Sequence, residues 1–424
     1  MRIMWIVTQI LPCAAEKLNM APSNMGGWVR SMLNCLKKIS GPELAVVMCS
    51  GKTKTVTSFV EDGVKYYIIP AVSSNKDVRR QDADAVINDF SPDLIHIEGT
   101  EFSMSEVFSE AKACPVLVSL QGIINGYEPY QYGDLPIADF IFSLSFTKAV
   151  TGWGLLLRKK FLFNKRLAIE RNTIKNADCI TGRTLWDRAH SYVFNPEAKY
   201  YSCNRILRPS FYEHTWNHSL CEKHSIFVGN GYSALKGGHT VLEAVRLLSE
   251  EFPDVKVVFA GVDPYVHGKK DAKKLVGYSF YLRKLIKKKE LKERVSYLGE
   301  QNEEQMVRNL LQSNVYVLPS IIENSPNTLG EAMIMGVPCV SAYTGGAAEM
   351  AVDNKEALIY RAGDPVMLAY QIKRIFDMKE NVSDMCRAAR EHARITHDMQ
   401  KNTETLLRIY RDVIDTYGRE DQRQ

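Results

Sequence analysis

The chain has 424 residues, of which 45% are hydrophobic and 24% charged, with a formal net charge of +5. That length exceeds what one hydrophobic core serves and makes two domains of roughly 200 residues each the expectation. The ordinary composition excludes a disordered or fibrous chain, and the mild, diffuse charge argues against nucleic acid as a partner.

Residues 3–8 form a short apolar run that opens into a long loop with Gly26-Gly27, followed by an amphipathic segment from Trp28 to Ile39. This pattern reads as strand, glycine loop, helix. Further strands are expected at Leu44–Cys49, Lys65–Pro70, Leu94–Ile97, Val116–Leu120 and Cys179–Thr181, with helices between several of them. Short apolar strands alternating with helices imply a parallel sheet covered on both faces. Asp82-Ala83-Asp84 falls in one such helix and reads as a solvated face rather than a metal dyad. His96 ends a buried strand and reads as a satisfied core residue, whereas Glu98 and Glu101 could reach a site at the strand's end.

The stretch from 153 to 171 mixes Arg158-Lys159-Lys160, Lys165-Arg166 and Arg171 with Trp153, Leu155, Leu156, Leu157, Phe161, Leu162 and Phe163. Two readings stand: a basic apolar segment lying on an anionic membrane, or a half-buried helix with a solvated charged face. A second cluster, Lys284 with Lys287-Lys288-Lys289, alternates with Glu290 and Glu293 and reads as a solvated helix face.

The pattern restarts near residue 205. Strands are expected at Ser225–Gly229, Val255–Ala260, Val295–Leu298, Tyr316–Leu318, Pro338–Ser341 and Ala357–Tyr360, and helices at Gly238–Phe252 and Glu303–Gln312. From Pro365 to Tyr417 the chain reads as almost continuous helix, long enough to return to the first domain. The expected division is therefore 1–204, 205–395 and a returning helix at 396–424. Two open α/β domains bind ligands at the carboxyl ends of their strands, so an interdomain site is expected.

Nine cysteines, at 13, 35, 49, 114, 179, 203, 221, 339 and 386, form no C-x-x-C pair and no Cys/His run with metal-ligand spacing. The apolar run at the start is too short for a signal sequence, and no run approaches the length of a membrane span. A cytoplasmic protein is expected, with peripheral docking on the inner face of the cell membrane as the consequence of the first reading of 153–171.

The densest chemistry lies in Leu318-Pro-Ser-Ile-Ile-Glu323-Asn-Ser-Pro-Asn327-Thr328-Leu-Gly-Glu331-Ala-Met-Ile-Met-Gly336-Val-Pro338. Ser325 is the expected N-cap, with Pro326 at the first helical position and Gly336 as the stop. Free amides near Asn327 and Thr328, with the positive end of the helix dipole, suit a phosphate. Seven residues separate two carboxylates that flank this cradle, so Glu331 can accept from vicinal ribose hydroxyls and Glu323 can reach the hydroxyls of a sugar.

With Pro319-Ser320 ahead, Gly336-Val337-Pro338 behind, and then Gly345-Gly346 and Glu349, this stretch resembles glycosyltransferase family 4, the retaining GT-B glycosyltransferases of group 1. The resemblance implies two facing Rossmann-like doubly wound parallel-sheet domains with an interdomain cleft and a C-terminal helix crossing back to the first. It assigns Lys236, in Val228-Gly229-Asn230-Gly231-Tyr-Ser-Ala-Leu-Lys236-Gly237, to the donor diphosphate and the leaving-group charge, and Glu323 to the reacting sugar. Gly26, Gly27, Gly229, Asn327, Thr328, Glu331, Gly345 and Gly346 become donor-binding residues. Two departures stand out. Asn230 occupies a position where relatives carry Arg, leaving Arg183, Arg205 or Arg208 to supply that contact. Gln121 occupies the usual His position near the sugar, where it can hydrogen-bond but not exchange a proton.

The implied activity is metal-independent, cofactor-free transfer of a sugar from a nucleotide-diphosphate sugar, with a UDP-sugar favoured, to a hydroxyl of a glycan or lipid-linked acceptor. Bacterial surface polysaccharide synthesis is the implied setting. A nucleotide-sugar epimerase on the same fold is disfavoured by Gln121, and a non-catalytic nucleotide-sugar-binding scaffold by the presence of Lys236, Glu323 and Glu331 together.

Overall fold

A computed structural model describes residues 1–21, 26–73, 76–111, 113–136, 146–231, 233–265 and 278–420, with the side chains of 146–160 and 417–420 left out of the description. The chain divides into two compact units, one of residues 1–126, 162–206 and 397–424, the other of residues 127–161 and 207–396.

The first unit is built on a sheet whose strands are β1 (Arg2–Val7), β2 (Glu43–Ser50), β3 (Thr57–Glu61), β4 (Val64–Pro70), β5 (Leu94–Glu98), β6 (Val116–Ser119), β7 (Cys179–Gly182) and β8 (Lys199–Ser202), in the order β3-β4-β2-β1-β5-β6-β7-β8. All neighbours pair parallel except β3, which runs antiparallel to β4. Successive side chains of a strand face opposite sides of a sheet. Accordingly Ile3, Trp5 and Val7 enter one buried cluster, while Met4 and Ile6 enter another on the other face. Both faces are covered, which is why these strands read as unbroken apolar runs.

Helix Met399–Glu420 belongs to this unit and places Leu406, Leu407, Ile409, Tyr410 and Val413 in the core shared with β1 and β2. The Tyr410 hydroxyl accepts from Trp5 Nε1 at 2.9 Å and lies 2.7 Å from His96 Nδ1. His96 is thus buried and partnered in the core.

The second unit carries six parallel strands, β9 (Ser225–Val228), β10 (Lys256–Phe259), β11 (Val295–Tyr297), β12 (Val315–Leu318), β13 (Cys339–Tyr343) and β14 (Leu358–Arg361), in the order β11-β10-β9-β12-β13-β14. The order reverses at β9, whose neighbours are β10 and β12. The crevice beyond the carboxyl ends of β9 and β12 is therefore the place where this architecture binds ligands.

The stretch 365–417 is almost continuously helical, as expected, and is divided into three helices, Pro365–Met378, Ser383–Thr396 and Met399–Glu420, with Lys379 at φ 47° ending the first. One expectation needs correction. Asp82 is not solvated: it is buried and paired with Arg79 at 2.7 Å and 3.1 Å. The stretch 153–171 lies in one helix, Phe146–Lys175, and the side chains of 153–160 fall outside the described residues. Of the rest, Phe161 is exposed, Lys165 pairs with Asp77, and Arg171 donates to Asn125 Oδ1 at 2.6 Å. No helix among the described residues is long and apolar enough to cross a membrane. All nine cysteines are free thiols.

Candidate functional site

Three loops meet at the carboxyl ends of β9, β12 and β13. After β9 the chain makes a short turn, Ala234–Lys236, closed by Gly237 in the left-handed conformation at φ 66°. A Cβ on Gly237 would lie 1.9 Å from the carbonyl oxygen of Pro319, so only glycine lets this turn press against the loop after β12. The Ile321 amide completes that contact by donating to the Leu235 carbonyl at 2.8 Å. Gly345 has the same role after β13: at φ 45°, its Cβ would lie 2.0 Å from the Glu323 carbonyl oxygen. Gly346 then donates its amide to that oxygen at 3.0 Å, and Thr344 Oγ1 donates to the Ile321 carbonyl at 2.6 Å.

Glu323 stands where the loops converge. Its Oε1 pairs with Lys236 Nζ and accepts from Ser320 Oγ at 3.1 Å. Cation and carboxylate, widely separated in sequence, are thereby fixed side by side, with 29% and 10% of their side chains exposed.

The helix after this loop runs Asn327–Met335 and ends at Gly336 in the left-handed conformation. Its N-cap is Pro326, not the expected Ser325, and it carries no side-chain cap. An uncapped first turn leaves amide donors for a ligand. Thr328 Oγ1 accepts from the Tyr316 hydroxyl at 2.8 Å, and Thr328 Cγ2 would touch a Cβ on Gly229 at 3.4 Å. Gly229 is thus packed against the helix start.

Glu331 sits one turn into this helix, 3% exposed. Arg208 grips it in a two-pronged pair, Nε to Oε1 and Nη2 to Oε2, each at 2.8 Å. Burial raises the Glu331 carboxyl above its ordinary range, and the Arg208 charge works against that rise. Arg208 is therefore paired with Glu331 in the free protein.

Residues that motif reading passed over brace the same loops. His239, two residues after Gly237, has Nε2 2.6 Å from Asp134 Oδ1, and the Tyr278 hydroxyl accepts its backbone N–H at 2.9 Å. Burial alone would raise the Asp134 carboxyl, but the His239 hydrogen bond holds it below its ordinary range. Tyr127 accepts from the Asn324 amide at 3.1 Å, next to Glu323.

The second unit thus brings together Lys236, Glu323, Gly229, Asn327, Thr328, Glu331, Gly345 and Gly346. Gly26, Gly27 and Gln121 belong to the first unit. Gly26, at φ 76°, opens helix Gly27–Leu36, and its Cβ position has ordinary room beside Gln9, so the left-handed turn is what calls for glycine there. Gln121 follows β6, and its carbonyl accepts from Arg183 Nη2 at 2.9 Å. Among the described residues no group of three or more His, Cys, Asp or Glu is arranged to hold a metal ion.

Gly237 gives a direct test of this assembly. Gly237→Ala adds a left-handed penalty of roughly 1–2 kcal/mol to a backbone clash that no rotamer relieves. We expect a clear fall in the unfolding midpoint by thermal denaturation; an unchanged midpoint would show that the two loops are not in contact.

The family model for glycosyl transferases group 1 matches residues 215–392. Among curated proteins, spore coat protein SA of Bacillus subtilis is 26% identical over 187 residues, 44% of this chain and 48% of that protein. The putative colanic acid biosynthesis glycosyltransferase WcaL of Escherichia coli is 25% identical over 39% of each chain. The matched region thus spans about half or less of the length of these relatives. Solved structures match over far more of the chain. Sucrose-phosphate synthase of Thermosynechococcus elongatus superposes with a TM-score of 0.73, covering 98% of this chain and 99% of that one at 14% identity. Anabaena Alr3699/HepE in complex with UDP-glucose superposes at 0.67, covering 97% and 100%, also at 14% identity. The chain therefore has the GT-B fold of two Rossmann-like α/β domains, and its residues 215–392 are similar to the glycosyl transferases of group 1.

Proposed function

We propose that the protein is a retaining glycosyltransferase that moves a sugar from a nucleotide-diphosphate sugar to an acceptor hydroxyl without a metal ion. The observation that carries this reading is the convergence of Lys236, Glu323 and the uncapped start of helix Asn327–Met335 at the carboxyl edge of β9 and β12. A diphosphate at the helix start meets amide donors and the positive dipole end, and Lys236 adds a full charge. Together these supply the electrostatic work a divalent ion would otherwise do. In the reaction the bond from the anomeric carbon to the donor phosphate breaks while the acceptor oxygen bonds on the same face. The acceptor proton passes to the departing phosphate oxygen, so no protein base is required and Gln121 is compatible with the chemistry.

In the free protein Lys236 is held by Glu323, and an incoming diphosphate competes for it. Glu323, released in part, is then placed to accept from sugar hydroxyls. Glu331 accepts ribose hydroxyls through the lone pairs that Arg208 leaves unused. Because HepE binds UDP-glucose, a UDP-sugar is the first donor to test, and the WcaL relative supports a setting in bacterial surface polysaccharide synthesis.

A thermal-shift panel of UDP, GDP, ADP and their sugar conjugates, run with and without EDTA, tests the reading. Stabilisation by one nucleotide set that survives EDTA is expected; no shift with any of them would overturn it. Glu331→Gln keeps the volume but loses a charged hydrogen-bond acceptor, so half-saturation by that nucleotide should rise about tenfold. An unchanged titration would remove Glu331 from the donor site.

A further inference from the structure

Beyond the donor site, the first unit holds a cluster of buried polar groups that the donor chemistry does not use. Helix Gly27–Leu36, the carboxyl ends of β5, β6 and β7, and the chain just after β8 enclose a cavity of about 30 Å³. It lies at the sheet edge where open α/β folds bind ligands.

Arg205 dominates this cavity. Its guanidinium packs over the Trp28 ring at 4.7 Å, and its side chain is 11% exposed. Nη2 stands 3.5 Å from Glu98 Oε2, within ion-pair range, yet among the described residues neither atom has a hydrogen-bond partner. Thr181 Oγ1 and His96 Nε2, also at the cavity, are in the same position. Arg183 lines the same space and donates to the Leu120 and Gln121 carbonyls. Burial, with the Arg183 charge next, pushes the Arg205 guanidinium down to about 9, and burial likewise lowers the His96 imidazole.

Two guanidinium groups thus line the cavity with one carboxylate, Glu98, while the Asp187 charge also acts on Arg205 and burial disfavours the charged imidazole. Leaving buried donors unmade is costly, and a buried cation without full compensation more so. An oxyanion would satisfy Arg205 Nη2 and the Thr181 hydroxyl and give a closer partner to a guanidinium whose charge burial disfavours. The volume suits one or two waters or the tip of a small anion, not a sugar ring.

We propose that this cavity binds a carboxylate or phosphoryl group through Arg205, as the anchoring subsite for an anionic acceptor. The acceptor role rests on the transferase reading above; the anion site itself does not. Guanidinium recognition of such groups is strong because its planar fork matches their oxygens.

The test titrates the full-length protein with inorganic phosphate and, separately, with acetate at constant ionic strength, following thermal stability. At least one anion should stabilise the wild type. Arg205→Gln should raise its half-saturating concentration about tenfold, while Lys236→Ala, which alters the donor site, should leave an Arg205-dependent phase intact. Phosphate alone acting points to a phosphorylated acceptor, and acetate alone to a carboxylate-bearing one. Should Arg205→Gln fail to fold, Arg205→Lys keeps the charge but loses the fork, and a several-fold rise is expected instead. Anion titrations unchanged in the folded Arg205 variant, or no response to either anion in the wild type, would overturn the proposal and leave the cavity to water. The nucleotide panel read on the same samples separates this failure from failure of the transferase reading.

Discussion

Lys236→Ala should lower kcat by roughly a hundredfold to a thousandfold while changing the donor KM much less, an effect of about 3–4 kcal/mol on the barrier. The split between the two constants follows from when the charge appears. On the transferase reading, the diphosphate of the bound donor is already solvated by the helix start, and Lys236 gains little more than it loses by leaving Glu323. As the glycosidic bond breaks, negative charge builds on the departing phosphate, and a fixed cation there is worth more in the transition state than in the ground state. Glu323 is buried but keeps its Ser320 hydrogen bond in the variant, so the loop should survive the loss of its partner. Steady-state kinetics with the donor named by the nucleotide panel give the measurement. Wild-type turnover in the folded variant would remove Lys236 from the chemistry; a rise in KM with kcat unchanged would make it a binding residue only.

Why some of this architecture was legible in the sequence and some was not has a physical basis. Strands β1, β2, β5 and β6 are buried on both faces, so they announce themselves as unbroken apolar runs. The strands passed over, β3 and β8, lie at the two edges of their sheet, and their residues are mostly exposed or half-buried. An edge strand needs only one neighbour and carries no such signal. The breaks in the C-terminal helical stretch were invisible for another reason: Lys379 takes a left-handed turn with no glycine or proline nearby to mark it.

The candidate site divides in the same way. Glu323, Thr328, Glu331 and Gly336 share one strand, loop and helix, and their spacing is a local property of the chain. The partners that fix their chemistry are not local. Arg208 lies 123 residues before Glu331, and Asp134 lies 105 before His239, so no window of sequence contains either pair. Gly237 and Gly345 are conspicuous as residues, but the carbonyls that forbid a Cβ belong to other loops, Pro319 and Glu323. Spacing identifies the groups that could touch a donor; only the fold shows which of them are already spoken for.

Glu331 is the sharpest instance, and removing its partner should have a large effect. Arg208→Ala leaves a fully buried carboxylate without its cation, a change that typically costs about 3–5 kcal/mol. The cost depends on pH in a definite direction. Burial already raises the folded-state pKa of Glu331, with Arg208 opposing the rise, so the variant raises it further. A carboxyl with a raised folded pKa favours the folded state below its unfolded pKa, and that advantage is lost as pH rises through the folded value. The stability deficit of Arg208→Ala should therefore be largest at alkaline pH and shrink as the pH falls and Glu331 takes up a proton. Adding Glu331→Gln to Arg208→Ala should restore most of the midpoint at high pH, because a neutral amide tolerates burial where a lone charge does not. Thermal unfolding of the wild type and both variants across that range decides the matter. A deficit independent of pH would mean that Arg208 stabilises the unit by packing on Phe211 rather than by compensating Glu331.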